Sequence, residues 1–297
     1  MLNLENRERS GNMPELAFVN GEFLPIEKAM VPIEDRGYQF GDAVYEVVNS
    51  YKGKFFGLEE HLDRLERSLR ELSYPPVSRD HIKKIMGEIL SRSGMERASV
   101  YLQISRGVAP RSHAFSGVNG VQVIMTVRPV REVSEELRRK GVQVVTAEDI
   151  RWGRCDIKTV QLLANCLAKQ KAVEAGAYDA VFVTAEGVVR ESTISNLFIV
   201  KDGVILTHPA DHHILNGITR IMTIECCREL DLPLIEKAFT KSEMFVSDEV
   251  FLTGTTIEVM PVVTIDDQII ADGEPGPITK QLYEALHEKT SIRQKRG

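Results

Sequence analysis

Lys158 stands in a short polar turn, "RWGRCDIK", just ahead of the apolar-patterned run "QLLANCLAKQKAVEAG". An amine at a helix start feels the partial positive charge of the helix N-terminus, and partial burial acts in the same direction, so both favour the neutral form. A neutral lysine can attack a carbonyl carbon and form a Schiff base. Glu191 lies in "VVRESTISNLF", between two apolar strand-like runs. A carboxylate delivered there could pair with a buried cationic ring nitrogen, and it equally fits a turn carboxylate capped by neighbouring hydroxyls. Two Gly-containing turns add donors. "LNGITR" puts Ile218 and Thr219 at a helix start, where N–H groups and a hydroxyl suit an anion. "LTGTT" supplies Thr255 in a turn after a strand, and Arg64 on the flank of a Leu-rich helix adds a cation. Together they suggest a phosphate grip. "PRSH" carries Arg111 and His113 on one loop, a pairing that suits a carboxylate. An exposed polar loop would read the same way. His208, His212 and His213 in "THPADHH" lie in a Pro-containing loop without the ligand spacing of a zinc motif, so no metal is expected.

The elements that must position these residues are legible from periodicity and turns. "LAFVNGEFLP" alternates and turns at Asn20-Gly21, and "AVYEVVNSYKGKFFGL" turns at Lys52-Gly53. Leu58, Leu62, Leu65, Leu69 and Leu72 repeat at helical spacing, and Pro75-Pro76 stops that helix. "DHIKKIMGEILSRSG" predicts a second helix, ended by Gly94. "ASVYLQISRG" and "GVQVIMTVRPV" predict strands around the "PRSH" loop. The charged stretch "RPVREVSEELRRKG" is the best candidate for a linker. Beyond it, strands and helices are interspersed, with an amphipathic helix directly behind Lys158 and a closing helix in "PGPITKQLYEALHEKT". The basic end "SIRQKRG" predicts a frayed tail. There is no internal repeat, and the pattern is mixed α+β to α/β.

The chain has 297 residues, a net charge of -6 and a pI of about 5.8. That balance argues against nucleic acid or an anionic membrane as partner. No apolar run approaches the roughly 20 residues of a membrane helix, and the polar start lacks a signal-peptide core. Cys155, Cys166, Cys226 and Cys227 fit neither a zinc site nor a disulfide framework, so a cytoplasmic location is expected. Cys155 reads as a small buried residue.

Taken in order, "EDRGYQFGDAVYEVV", "EEHLDRL", "RGVAPRSHAF", "IRWGRCDIK", "THPADHHILNGITR" and "FLTGTT" resemble the fold-type IV pyridoxal-phosphate transaminases, most closely the D-amino-acid aminotransferases. The resemblance runs from about Phe18 to Leu286. It implies a two-domain fold, with a smaller α+β N-terminal domain (14–133) and a pseudo-barrel C-terminal domain (134–290) that binds pyridoxal 5'-phosphate, flanked by flexible ends at 1–13 and 291–297. It implies Lys158 as the Schiff-base lysine and Glu191 as the partner of the pyridine nitrogen. Arg64, Ile218, Thr219 and Thr255 would hold the phosphate. Tyr45, Arg111 and His113 would trap the substrate carboxylate, the last two coming from a neighbouring subunit, so a homodimer is implied. The implied reaction moves an amino group from a D-amino acid to a 2-oxo acid such as 2-oxoglutarate, by a ping-pong route.

Three positions depart from the resemblance: Ser192 and Ile194 stand where glycine and serine are usual, and Gly254 where a serine is frequent. They alter hydrogen bonding near the ring and the phosphate. The alternatives within the fold are a branched-chain L-amino-acid aminotransferase, an aminodeoxychorismate lyase and an (R)-amine transaminase. The cationic "PRSH" loop counts against the first, and the last needs no carboxylate trap. Outside enzymes, the alternative is an inactive cofactor-binding module, which the presence of both Lys158 and Glu191 disfavours.

Overall fold

In the computed structural model, which describes residues 15–115, 117–130 and 132–293, the first sheet is built on hairpins at the expected turns. β1 (Leu16–Val19) and β2 (Glu22–Pro25) pair across Asn20-Gly21. After the short helix α1 (Arg36–Phe40), β3 (Ala43–Tyr51) and β4 (Lys54–Phe55) pair across Lys52-Gly53. All four turn residues have positive φ, the turn geometry that matches the twist of the flanking strands. Then come α2 (Leu58–Glu71), α3 (Arg79–Ser93), β5 (Ala98–Ser105) and β6 (Gln122–Pro129). The sheet runs β2-β1-β6-β5-β3-β4, antiparallel throughout. Leu62, Leu65 and Leu69 of α2 are buried against it, as the spacing predicts. Each contributes roughly 1.5–3 kcal/mol. Ser78 caps the start of α3 and left-handed Gly94 ends it.

The expected linker contains a helix, α4 (Glu135–Lys140), capped by Ser134. The second sheet follows with β7 (Val142–Glu148), α5 (Leu163–Glu174), β8 (Asp179–Val183), β9 (Val189–Ser192), β10 (Asn196–Lys201) and β11 (Val204–Thr207). The chain finishes with α6 (Ile218–Glu229), β12 (Leu234–Glu236), α7 (Lys241–Phe245), β13 (Glu249–Gly254), β14 (Glu258–Ile265), β15 (Gln268–Ile269) and α8 (Pro277–Arg293). The main path is β12-β11-β10-β13-β14-β7-β8-β9, with β15 pairing to β14. β7 is parallel to both β8 and β14, so the sheet is mixed. Four strands separate β9 from β10 in that order, yet residues 193–195 alone connect them. The sheet must therefore curl to bring its β9 edge back to β10, which makes it a half-barrel. This is the α+β fold that the resemblance implies.

Two local expectations are corrected. The helix behind Lys158 starts at Leu163, not directly after the lysine, because residues 158–160 pair with β3 instead: Lys158 O accepts from Tyr45 N–H at 3.0 Å and Val160 N–H donates to Ala43 O at 3.1 Å. The helix-start argument for a neutral Lys158 thus lacks its geometry. Nor is α5 amphipathic in the expected sense: Ala168 and Ala172 are its buried residues, while Leu163, Leu167 and Val173 are exposed. The two small side chains pack on Ala147 and Ala180 of the sheet and turn the larger ones outward. At the C-terminus, α8 continues to Arg293, into the stretch expected to fray. The expected extension 1–13 and the end of the tail lie outside the described residues.

Gly107 begins the β5–β6 loop with φ +123°, and a Cβ there would stand 2.0 Å from the Gly120 carbonyl oxygen. Gly107→Ala is expected to cost roughly 2–4 kcal/mol, because it adds backbone strain to a clash that no side-chain rotation relieves. A melting curve tests this, and an unchanged Tm would contradict the packing.

Candidate active site

A cavity of about 290 Å³ lies where the curled edge of the second sheet meets β3 and α2. Lys158 reaches it from the segment paired with β3. The backbone of that segment is pinned further: Lys158 N–H lies 3.4 Å from Ser68 Oγ, and Arg67 donates to the carbonyl of Asp156 at 2.9 Å. Half-buried Lys158 extends over the Tyr45 ring, with Nζ 4.3 Å from the centroid.

Glu191 enters from the end of β9 and is 6% exposed. Its Oε1 accepts from Arg151 Nη1 at 2.6 Å and its Oε2 from Asn196 Nδ2 at 3.0 Å, while Leu215 N–H lies 3.2 and 3.1 Å from the two oxygens. Burial pushes the Glu191 carboxyl up from its ordinary value, against the pull of Arg151, Leu215 N–H and Lys158. Every one of these contacts is a donor, the pattern of an ionised carboxylate. Arg151 is held in turn by Asp149, at 2.9 and 2.8 Å, and lies over the Phe182 ring.

The opposite end of the cavity is built for an anion. α6 starts at Gly217 with no side-chain cap, leaving the N–H groups of its first turn without a capping acceptor. A Cβ on Gly217 would meet Asn196 Oδ1 at 2.2 Å, so a larger residue at this start would have to displace Asn196. Ile218 and Thr219 line the cavity beside Arg64, and Thr253, Gly254, Thr255 and Thr256 close it. The hydroxyl of Thr253 is buried without a partner. An uncapped helix start, an arginine and an orphaned hydroxyl facing one space fit a bound phosphate.

Arg64 is aimed by a residue behind it. Its Nε and Nη2 donate to the two oxygens of Glu46 at 2.8 and 2.7 Å, and its Nη1 donates to Asn216 O at 3.1 Å. His61 Nδ1 lies 2.7 Å from the same carboxylate. Burial raises the Glu46 carboxyl, but the charge and hydrogen bonds of Arg64, with His61, outweigh it and hold it at about 2. Burial lowers the His61 ring from its ordinary value, against the hydrogen bond and charge of Glu46.

Of the residues singled out in the sequence, Tyr45, Arg64, Lys158, Glu191, Ile218, Thr219 and Thr255 meet in this cavity. Arg111 and His113 do not line it. Both are exposed on the β5–β6 loop, packed against Phe40 of α1. The loop backbone is fastened: Arg36 donates to Ser112 O at 2.6 Å and His113 O at 3.3 Å, and Arg106 stacks on Phe115 at 3.7 Å. Arg151, Glu46 and Asn196 were not anticipated. Glu46 had a signal, since its parity on β3 is that of buried Val44 and Val48, a face where a carboxylate needs a partner. Ser192 and Ser195 exchange a hydroxyl contact at 2.6 Å that closes the turn around Ile194, which is exposed at the cavity. Ligand atoms of His208, Asp211 and His213 lie within 4.8 Å of one another. His208, however, directs Nε2 at Arg190 and Nδ1 at the Pro209 carbonyl, so its ring is already engaged.

An antiparallel sheet joined to a curled mixed sheet, with an amine-bearing cavity between them, defines the fold-type IV aminotransferases. The branched-chain amino acid aminotransferase of Thermobaculum terrenum, in its PLP-bound holo form, superposes with a TM-score of 0.81 at 28% identity, covering 95% of this chain and 95% of that one. The Escherichia coli branched-chain aminotransferase shares the fold with a TM-score of 0.86 at 24% identity, over 93% of this chain and 94% of that one. In sequence, D-alanine aminotransferases of Bacillus licheniformis and Listeria monocytogenes are 44% and 42% identical, over 90% and 91% of this chain and 94% of each relative. The amino-transferase class IV profile matches residues 43–265, and the chain belongs to that family.

The Glu46 pairing makes a pH-dependent prediction. A carboxyl depressed from 4.5 to about 2 adds stability that is complete above its unfolded value and lost as pH falls through its folded one. Glu46→Gln should cost roughly 3–5 kcal/mol at neutral pH, as for breaking a buried pair. The gap to the wild type should hold steady down to about pH 5 and narrow below that. Urea titrations at pH 7, 5 and 3.5 measure it, and a gap of constant size across all three would rule out the depressed carboxyl.

Proposed function

We infer that this chain is a pyridoxal 5'-phosphate-dependent D-amino-acid aminotransferase, which moves an amino group from D-alanine or a similar D-amino acid to a 2-oxo acid such as 2-oxoglutarate. The observation that carries this is one cavity lined by Lys158 and the Glu191–Arg151 pair, with an anion grip of Arg64, Thr255 and the α6 start. The 42–44% identity to proteins named D-alanine aminotransferase supports the substrate class. The cofactor, when bound, supplies an aldehyde carbon and an electron-withdrawing ring. Nζ of Lys158 is the amine that would hold this carbon covalently. It is also the base that takes the proton from the amino acid's Cα and returns one after transfer. Glu191, braced by Arg151, would pair with the ring nitrogen and keep it protonated. Arg64, the first N–H groups of α6 and Thr255 would hold the phosphate and so anchor the cofactor independently of Lys158. Tyr45 helps to orient the substrate.

Arg111 and His113 receive the substrate carboxylate in this reading, each supplied to the cavity of a second copy. Their exposure on a fastened loop, outside their own cavity, supports a homodimer. So do Leu163 and Leu167, exposed apolar residues one turn apart on α5. All four cysteines are unpaired, in keeping with the cytoplasm, and among the described residues no helix is long and apolar enough to cross a membrane.

The second reading, a branched-chain L-amino-acid aminotransferase, is favoured by the structural neighbour from Thermobaculum terrenum at 28% identity. The purified protein should be yellow, and its absorbance should change with D-alanine and not with L-leucine. The opposite response would establish the second reading. Lys158→Ala should lower turnover by about 10²-fold or more. Arg111→Ala should raise KM for D-alanine about 10- to 100-fold with a smaller change in kcat, the effect of losing one charge-assisted contact. Mixing Lys158→Ala and Arg111→Ala chains, followed by subunit exchange, should restore activity, because one cavity of each hybrid is then intact. No restoration would place Arg111 in the service of its own chain.

A further inference from the structure

The hairpin between β13 and β14 presents Thr255 and Thr256 to the anion end of the cavity. Ile257 N–H donates to Gly254 O at 3.2 Å and closes the turn. The next residue, Glu258, has φ +56°. A left-handed residue after such a turn is ordinarily glycine, because a Cβ crowds the following carbonyl. Glu258 is nonetheless buried in that conformation.

Arg138 of α4 grips this strained residue from outside the cavity. Its Nη1 donates to the carbonyls on either side of it, Ile257 O at 2.7 Å and Val259 O at 3.0 Å. Its Nη2 stands 3.2 Å from Glu258 Oε2, and both side chains are 10% exposed. The guanidinium also lies over the Tyr283 ring of α8 at 4.7 Å. On the other flank, Asn49 of β3 donates to Thr255 O at 3.0 Å. The turn is thus held from the first sheet by Asn49 and from the segment joining the two sheets by Arg138.

We propose that Arg138 is a positioning residue for the phosphate end of the cavity: by binding both flanking carbonyls and the carboxylate, it holds Glu258 left-handed and keeps Thr255 and Thr256 aimed at the phosphate. This rests on the reading of Thr255 as a phosphate contact. With glycine at 258 the turn would form unaided. With glutamate it forms fully only when α4 is docked, so phosphate affinity depends on a connecting helix that touches neither ligand nor cavity.

The test compares pyridoxal 5'-phosphate with pyridoxal, which has the same ring and aldehyde but no phosphate. Binding of each to the apo-protein is read from the visible absorbance that develops at Lys158, alongside Tm. Arg138→Met should weaken pyridoxal 5'-phosphate about ten-fold or more, the loss of one set of charged hydrogen bonds, and leave pyridoxal binding unchanged. Arg138→Lys, which keeps the charge but not the fork, should fall between, and it serves if the methionine variant does not fold. Adding Glu258→Gly to either variant should restore most of the lost affinity, because glycine takes the left-handed conformation without help. Equal weakening of both ligands, with a lower Tm and no rescue by glycine, would show that Arg138 is only a packing residue and overturn the proposal. If Thr255→Ala weakens pyridoxal 5'-phosphate selectively and Arg138→Met does not, the positioning role alone is wrong. If Thr255→Ala leaves the phosphate preference intact, the phosphate reading of Thr255 fails and takes this inference with it.

Discussion

An ionised carboxylate taken out of water costs several kcal/mol unless donors meet it, and this cavity is built around two of them. Glu46 is 1% exposed and Glu191 6%. Each binds an arginine, and each arginine comes from a different element. Arg64 rises from α2 and Arg151 from the stretch between β7 and α5. The pairs do more than neutralise charge. Arg64 also donates to Asn216 O, which ties α2 to the loop before α6, and Asn196 joins Glu191 to the carbonyl of Leu215 at 2.7 Å. The walls of the cavity are therefore fastened to one another by the same groups that face its contents. A cation aimed in advance needs no reorganisation when an anion arrives.

Lys158 follows the opposite rule. Among the described residues its amine makes no ion pair within 4.0 Å, and it lies over the face of Tyr45. Its backbone is fixed by β3 and by Ser68, so the pivot of the side chain is set while the amine keeps its freedom. That division suits the role proposed for Lys158, in which its amine both holds a carbon and moves a proton. A lysine locked to a carboxylate could do neither without first breaking the pair.

The local signals in the sequence were reliable because their causes are local. Asn-Gly and Lys-Gly turns, the leucine stripe of α2 and the Gly94 stop each depend on a few adjacent residues. The strand order of the second sheet is different. β7 lies between β8 and β14, and β14 returns to it after more than a hundred residues of chain, which no short-range pattern encodes. Lys158 and Glu191 were legible as residues but not as a geometry. The Arg151–Glu191 contact spans 40 positions, and the helix expected behind Lys158 was displaced by pairing with β3. In α5 the leucines imitate an amphipathic stripe, yet the close approach of the sheet selects the alanines.

The β5–β6 loop follows from the same physics of satisfied donors. Arg36 and Arg106 are 3% and 4% exposed, and both need acceptors. Asp42 supplies one to each, at 2.8 Å, and the backbone carbonyls of Ser112, His113 and Ala114, with Leu72 and Ser73, supply others. Phe115 of the loop also packs on Arg36 and Arg106. Arg111 and His113 stand exposed on this fastened loop, packed against Phe40 of α1. Since holding a ligand with an already ordered loop avoids the entropy of ordering it, the two buried arginines beneath the loop would contribute to the carboxylate binding proposed for Arg111 and His113.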